Sequence, residues 1–266
     1  MSVLFAFLMT TIAGLSTGIG SAIAFFAKKT NTRFLCVSLG FSAGVMIYVS
    51  MVELFSGARS ALSIALGDQM GQAATVGSFF GGMLLICLID RLIPSGENPH
   101  EIKSVEEEQG VLAKQSGLMR TGLFTALALA IHNFPEGMAT FVSALRDTGV
   151  AIPIVIAIAI HNIPEGIAVS VPIYYATGNR KRAFLLSFLS GLAEPLGAVV
   201  GYLVLRPFLS DTLFGVLYGA VAGIMVFISL DELLPAAEEY GEHHLAIYGL
   251  VAGMMVMAVS LLIIPS

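Results

Sequence analysis

The chain is built from long apolar runs separated by short clusters of charge, and no soluble fold accommodates that alternation. Apolar stretches fall at about 2–27, 34–55, 72–93, 121–145, 150–175, 183–205, 211–234 and 244–264. Each reaches the roughly 20 residues that a helix needs to cross the hydrocarbon core of a bilayer. A helix is required there because, without water, every backbone N–H and C=O must find its partner inside the segment. Charged residues make up only 12% of the 266 positions and mean hydropathy is +0.88, against roughly 25% charge in a soluble domain. The pattern predicts an all-α membrane protein with eight transmembrane helices and one polytopic membrane domain over 1–266. A polar segment, 94–120, carries Glu106–Glu108 and is expected to be a flexible loop.

The opening run, "MSVLFAFLMTTIAGLSTGIGSAIAFFAKK", has a small-residue "AIA" at 22–24 but no positive charge before its apolar part. It is expected to stay as a span rather than act as a cleaved leader. Cys36 and Cys87 both lie in apolar runs and form no CxxC pair, which predicts two buried thiols. A pI near 5.5 without a basic patch argues against nucleic acid as a partner. Lys and Arg set the orientation. With alternating spans, Lys28, Lys29, Arg33, Arg91, Lys103, Lys114, Arg120, Arg180, Lys181 and Arg182 share one side, while Arg59, Arg146 and Arg206 share the other. The first side is expected to be cytoplasmic, so that the 94–120 loop is cytoplasmic and both termini lie outside, in an integral plasma (inner) membrane protein.

Two internal repeats accompany the spans. "AIHNFPEGMA" at 130–139 returns as "AIHNIPEGIA" at 159–168, and "AGVMIYVSMVELFSGA" at 43–58 reads against "AGIMVFISLDELLPAA" at 222–237. More weakly, "AGLSTGIG" at 13–20 reads against "SGLAEPLG" at 190–197. Spans 1–3 thus resemble spans 6–8, and spans 4 and 5 resemble each other, with the matched segments running in opposite directions. Repeated sequence in opposite topology predicts a transporter-like inverted repeat with a site near the bilayer midplane.

The doubled motif carries the chemistry. His132 and Glu136 stand four residues apart, as do His161 and Glu165, which puts each imidazole and carboxylate on one helix face. Asn133 and Asn162 sit beside that face. Pro135 and Pro164 remove an N–H, and Gly137 and Gly166 allow a neighbouring helix to come close. His132 lies about 16 Å into a hydrocarbon core of about 30 Å. Glu194 falls mid-span as well, beside Pro195. Three carboxylates at that depth, with no Lys or Arg in the middle of any span, require protons or a bound cation. Imidazole, carboxylate and amide oxygen together suit zinc, iron, cobalt or manganese better than calcium or magnesium. The set of His132, Asn133, Glu136, His161, Asn162, Glu165 and Glu194 exceeds what one tetrahedral ion needs, and two carboxylate-bridged ions use it better. Taken singly, a mid-span His is more often an interhelical hydrogen bonder than a ligand; the constellation is what points to metal.

At these residues the chain resembles the ZIP family (Zrt-, Irt-like proteins) of divalent metal transporters, and among them the bacterial zinc transporters, over its whole length. "HNFPEG" and "HNIPEG" are the specific part of the match. The resemblance implies metal ligands at those seven positions, a binuclear site bridged by the glutamates, and alternating access. In that motion spans 1, 4, 5 and 6 move against 2, 3, 7 and 8. It implies uptake toward the cytoplasm, a homodimer, no enzymatic cofactor, and Zn2+, Fe2+, Mn2+ or Co2+ bound as substrate. The chain departs from many relatives in having only His100 in its 94–120 loop. The alternative is a membrane-bound di-iron carboxylate enzyme, whose usual Glu-x-x-His spacing is absent from the doubled motif. Glu53, expected near the outer mouth, and Asp231 and Glu232, expected near the cytoplasmic mouth, are candidates for lining the pathway.

Overall fold

The computed structural model describes residues 3–23, 26, 32–92, 111–146, 148–208, 210–240 and 243–263. They form helices α1 (Val3–Ile23), α2 (Thr32–Leu66), α3 (Asp68–Leu92), α4 (Val111–Arg146), α5 (Thr148–Thr177), α6 (Arg180–Val204), α7 (Asp211–Glu239) and α8 (His243–Ile263), and no strand occurs among the described residues. Six of these, α1, α2, α3, α6, α7 and α8, contain stretches long and apolar enough to cross a membrane. Their outward side chains are apolar too, as at Leu84, Leu85 and Leu88 on α3 and Met255, Val259 and Leu262 on α8. Such continuous apolar surface belongs against lipid. Cys87 is exposed on the same face of the molecule's exterior while Cys36 is buried, so only one of the two expected buried thiols is found.

Two helix ends differ from those the apolar runs predict. α2 continues from 55 to Leu66, and α4 begins at Val111, within the polar 94–120 segment. Hydropathy reports the thickness of the bilayer, whereas a helix continues until a residue stops it. The stop for α2 is Gly67, at φ 82°, whose N–H closes on the Ser63 carbonyl at 2.9 Å before Asp68 opens α3. At the other short turn Gly178 takes φ 68°, and Asn179 caps α6 by accepting from the Arg182 N–H at 3.0 Å. Positions 93–110, most of the expected loop, lie outside the described residues.

Burial grades the helices in matched pairs. Within the apolar windows, 61% of α2 and 67% of α7 is buried, against 39% for both α1 and α6 and 22% for both α3 and α8. Contacts follow the same pairing: α2 packs on α8 as α3 packs on α7, and α1 packs on α5 as α4 packs on α6. Between apolar helices in lipid there is no hydrophobic drive, so close contact depends on small residues. A Cβ on Gly44 would strike the Leu250 carbonyl of α8, and one on Gly223 would strike the Phe79 carbonyl of α3.

The likeness extends to an irregularity. α2 and α7 each contain one π-helical turn, Ser50–Leu54 and Ser229–Leu233. Each opens on a serine whose hydroxyl donates to the carbonyl four residues back, Met46 at 2.6 Å and Met225 at 2.7 Å. That back-bond competes with the regular ladder. Glu53 lies in the first of these turns, and Asp231 and Glu232 in the second; all three are half-buried. Glu53 is therefore inside a helix rather than at its end.

Candidate metal site

α4 and α5 stay helical through Pro135 and Pro164, and lie against each other and against α1 and α6. α6 is offset at Leu192, where Pro195 excludes the Gly191 carbonyl from the ladder, and a new helical segment starts at Ala193 with Glu194 in its first turn. Glycines set the spacing. Side chains at Gly137 and Gly166 would collide with the backbone carbonyls of Glu194 and Thr17, and side chains at Gly20 and Gly197 with those of Ile163 and Phe134.

All seven expected ligands are brought to this junction, and each is at most 1% exposed. The imidazole–carboxylate pairs form between helices rather than within one. His132 Nε2 is 3.0 Å from Glu165 Oε1, and His161 Nε2 is 2.9 Å from Glu136 Oε1. The first is a hydrogen bond; the second is close enough for an ion pair but not aligned as a hydrogen bond. Asn162 donates from Nδ2 to the Ala13 carbonyl of α1 at 3.0 Å and also contacts Glu194 Oε1. Asn133 makes the matching contact, Nδ2 to the Ser190 carbonyl of α6 at 3.5 Å.

Asn162 Oδ1 has no donor among the described residues. The Asn133 oxygen position is 2.8 Å from His132 Nε2, 3.3 Å from Glu165 Oε2 and 3.1 Å from the Leu129 carbonyl. Rotating the Asn133 amide by 180° would turn these into hydrogen bonds, but would break its match with Asn162. Glu136 Oε2 and Glu194 Oε2 likewise lack a donor. Among the described residues no group of three or more His, Cys, Asp or Glu is spaced to hold a metal ion; each imidazole instead contacts a carboxylate across helices.

The backbone acceptors at Ala13 and Ser190 were not foreseen from sequence. Their signal lay in the 13–20 and 190–197 match, which aligns Ala13 with Ser190.

A sequence model described as the ZIP Zinc transporter family matches residues 91–261. The zinc transporter ZupT of Clostridium perfringens is 64% identical over 275 residues, covering 98% of this chain and 96% of its own length. The chain belongs to the ZIP family. ZupT of Streptococcus mutans is 66% identical over 258 residues and ZupT of Lysinibacillus sphaericus 62% over 265, with at least 97% of each chain covered. As a ZIP protein with six apolar membrane-length stretches it is an integral membrane protein and a divalent metal transporter. The di-iron enzyme reading is not supported.

Proposed function

We propose that this ZIP protein carries zinc, and with it iron, manganese and cobalt, across the plasma membrane into the cytoplasm. Its path runs through a binuclear site of His132, Asn133, Glu136, His161, Asn162, Glu165 and Glu194. The observation that carries the reading is the surplus of acceptors at full burial: Asn162 Oδ1, Glu136 Oε2 and Glu194 Oε2 lack a donor. A buried carboxylate or amide oxygen without a donor is strongly disfavoured, and a cation supplies what is missing. Two ligands about 2.1 Å from a shared tetrahedral ion stand about 3.4 Å from each other. The His–Glu pairs, at 3.0 and 2.9 Å, need to open by only a few tenths of an ångström.

The proposal includes eight spans arranged as an inverted repeat. Supporting it are the paired burial of α1 with α6, α2 with α7 and α3 with α8, the exchange of partners in their contacts, and the two serine-opened π turns. Ten Lys and Arg on one side against three on the other favour termini outside. Alternating access would move α1, α4, α5 and α6, which contact one another around the ligands, against α2, α3, α7 and α8. Uptake of zinc into proteoliposomes loaded with a zinc-reporting dye tests the function. Wild-type protein should fill them and Glu136→Ala should not; equal uptake by both would remove the site.

A further inference from the structure

Thr17 on α1 is fully buried, and its Oγ1 has no hydrogen-bond partner among the described residues. Its neighbours behave differently. Thr10, Ser16 and Ser21 return their hydroxyls to the carbonyls of Ala6, Ala13 and Thr17 at 3.1, 2.6 and 2.8 Å. A hydroxyl left unbonded where ordinary back-bonding serves the rest of the helix needs a reason.

Its position supplies one. Exchanging α1 with α6 and α4 with α5 maps each local contact onto another. A Cβ on Gly14 would be 2.7 Å from the Gly191 carbonyl, and one on Gly191 would be 2.7 Å from the Gly14 carbonyl. The first would also be 3.1 Å from Glu194 Cβ, the second 2.7 Å from Thr17 Cβ. The Glu194 carbonyl faces Gly137 as the Thr17 carbonyl faces Gly166. Asn162 reaches the Ala13 carbonyl as Asn133 reaches that of Ser190. In both comparisons that include it, Thr17 stands where Glu194 stands. Asn162 also contacts Glu194, and under the same exchange the residue equivalent to Glu194 on the Asn133 side is Thr17.

We infer that Thr17 fills the second of two equivalent donor positions, so that its hydroxyl is an eighth and weaker oxygen donor to the transported ion on the Asn133 side. The inference rests on the binuclear reading above. It makes the two ion positions unequal: one is framed by a third carboxylate, the other by a neutral hydroxyl. The ion on the Thr17 side is held less tightly and is the first to leave.

Isothermal titration of zinc into the purified full-length protein tests this, with Thr17→Val, Thr17→Ser and Glu136→Ala compared. Thr17→Val keeps the shape and removes the oxygen. It should weaken the weaker of two zinc-binding events by about tenfold, the scale seen when a supporting group at a metal site is lost, and leave the tighter one in place. Thr17→Ser should bind like wild type. Metal-free Thr17→Val should melt no lower than wild type, because the lost hydroxyl had no partner. Wild-type zinc binding by Thr17→Val, in a protein whose Glu136→Ala form has lost binding, overturns the inference alone. Equal weakening in Val and Ser also overturns it, since the methyl group's packing is then what matters. Normal binding by Glu136→Ala overturns the underlying site as well.

Discussion

Glu165 offers a test in which stability and transport separate. Its Oε1 receives His132 Nε2 at 3.0 Å, and its Oε2 lies 3.3 Å from the oxygen position of Asn133, all at full burial. Removing the side chain in Glu165→Ala deletes a buried hydrogen-bond partner of His132, which costs about 1–3 kcal/mol. The Ala variant is therefore destabilised as well as inactive, since each motif glutamate has an imidazole partner from the other helix. Glu165→Gln behaves differently. Its amide keeps the contact to His132, and its nitrogen can donate toward Asn133 Oδ1, so the metal-free protein should melt at or above wild type. Its metal affinity should nevertheless fall by at least the roughly 10–100-fold that loss of a supporting ligand partner costs, because an amide carries no charge to balance the ion. The assay is thermal unfolding of the detergent-solubilised protein with and without chelator, beside zinc uptake in proteoliposomes. Wild-type uptake by Glu165→Gln would refute the reasoning. So would loss of stability in Gln equal to that in Ala, which would mean the carboxylate is structural rather than a ligand.

Three further outcomes are expected. Gly166→Val should abolish assembly of the α1–α5 contact, because its Cβ meets the Thr17 backbone rather than a movable side chain, and the yield of folded protein in membranes reads it out. Asn162→Asp should lower both the apparent KM and the maximal rate of zinc uptake, since a carboxylate holds the ion more tightly than an amide; an unchanged profile would mean Asn162 faces away from the ions. Glu53→Gln should reduce uptake chiefly at low external zinc and low salt, whereas Asp231→Asn should slow release without changing external affinity. Identical behaviour of that pair would place both acids off the path.

The sequence made the buried His, Asn and Glu cluster legible but not the contacts within it. His-x-x-x-Glu within one helix separates Cβ atoms by about 5–6 Å, a spacing that suits a shared ion. Direct contact instead joins His132 to Glu165 and His161 to Glu136, across helices. That choice depends on how near α4 and α5 come to each other and to α1 and α6, which no spacing within a single motif encodes. The helix ends at Leu66 and Val111 were hidden for another reason: apolar content falls at the membrane surface while helix-forming residues continue past it. Thr17 was visible opposite Glu194 in the match of "AGLSTGIG" with "SGLAEPLG". Nothing in that string distinguished a hydroxyl left unbonded from the back-bonded hydroxyls of Thr10 and Ser21.

The glycines decide how these levels join. Gly14, Gly20, Gly137, Gly166, Gly191 and Gly197 all lie at contacts among α1, α4, α5 and α6, and each is pressed against backbone of a neighbouring helix. With larger residues there, the imidazoles and carboxylates could not reach one another across helices. The same closeness leaves Asn162 Oδ1, Glu136 Oε2 and Glu194 Oε2 buried without donors. The glycines thus hold the imidazoles and carboxylates in contact across helices, while Pro195 and the offset at Leu192 give α6 a break beside Glu194. If this cluster holds the transported ion, as proposed, its ligands sit on rigid helices, and access to the ion then changes by movement of whole helices rather than by rotation of single side chains.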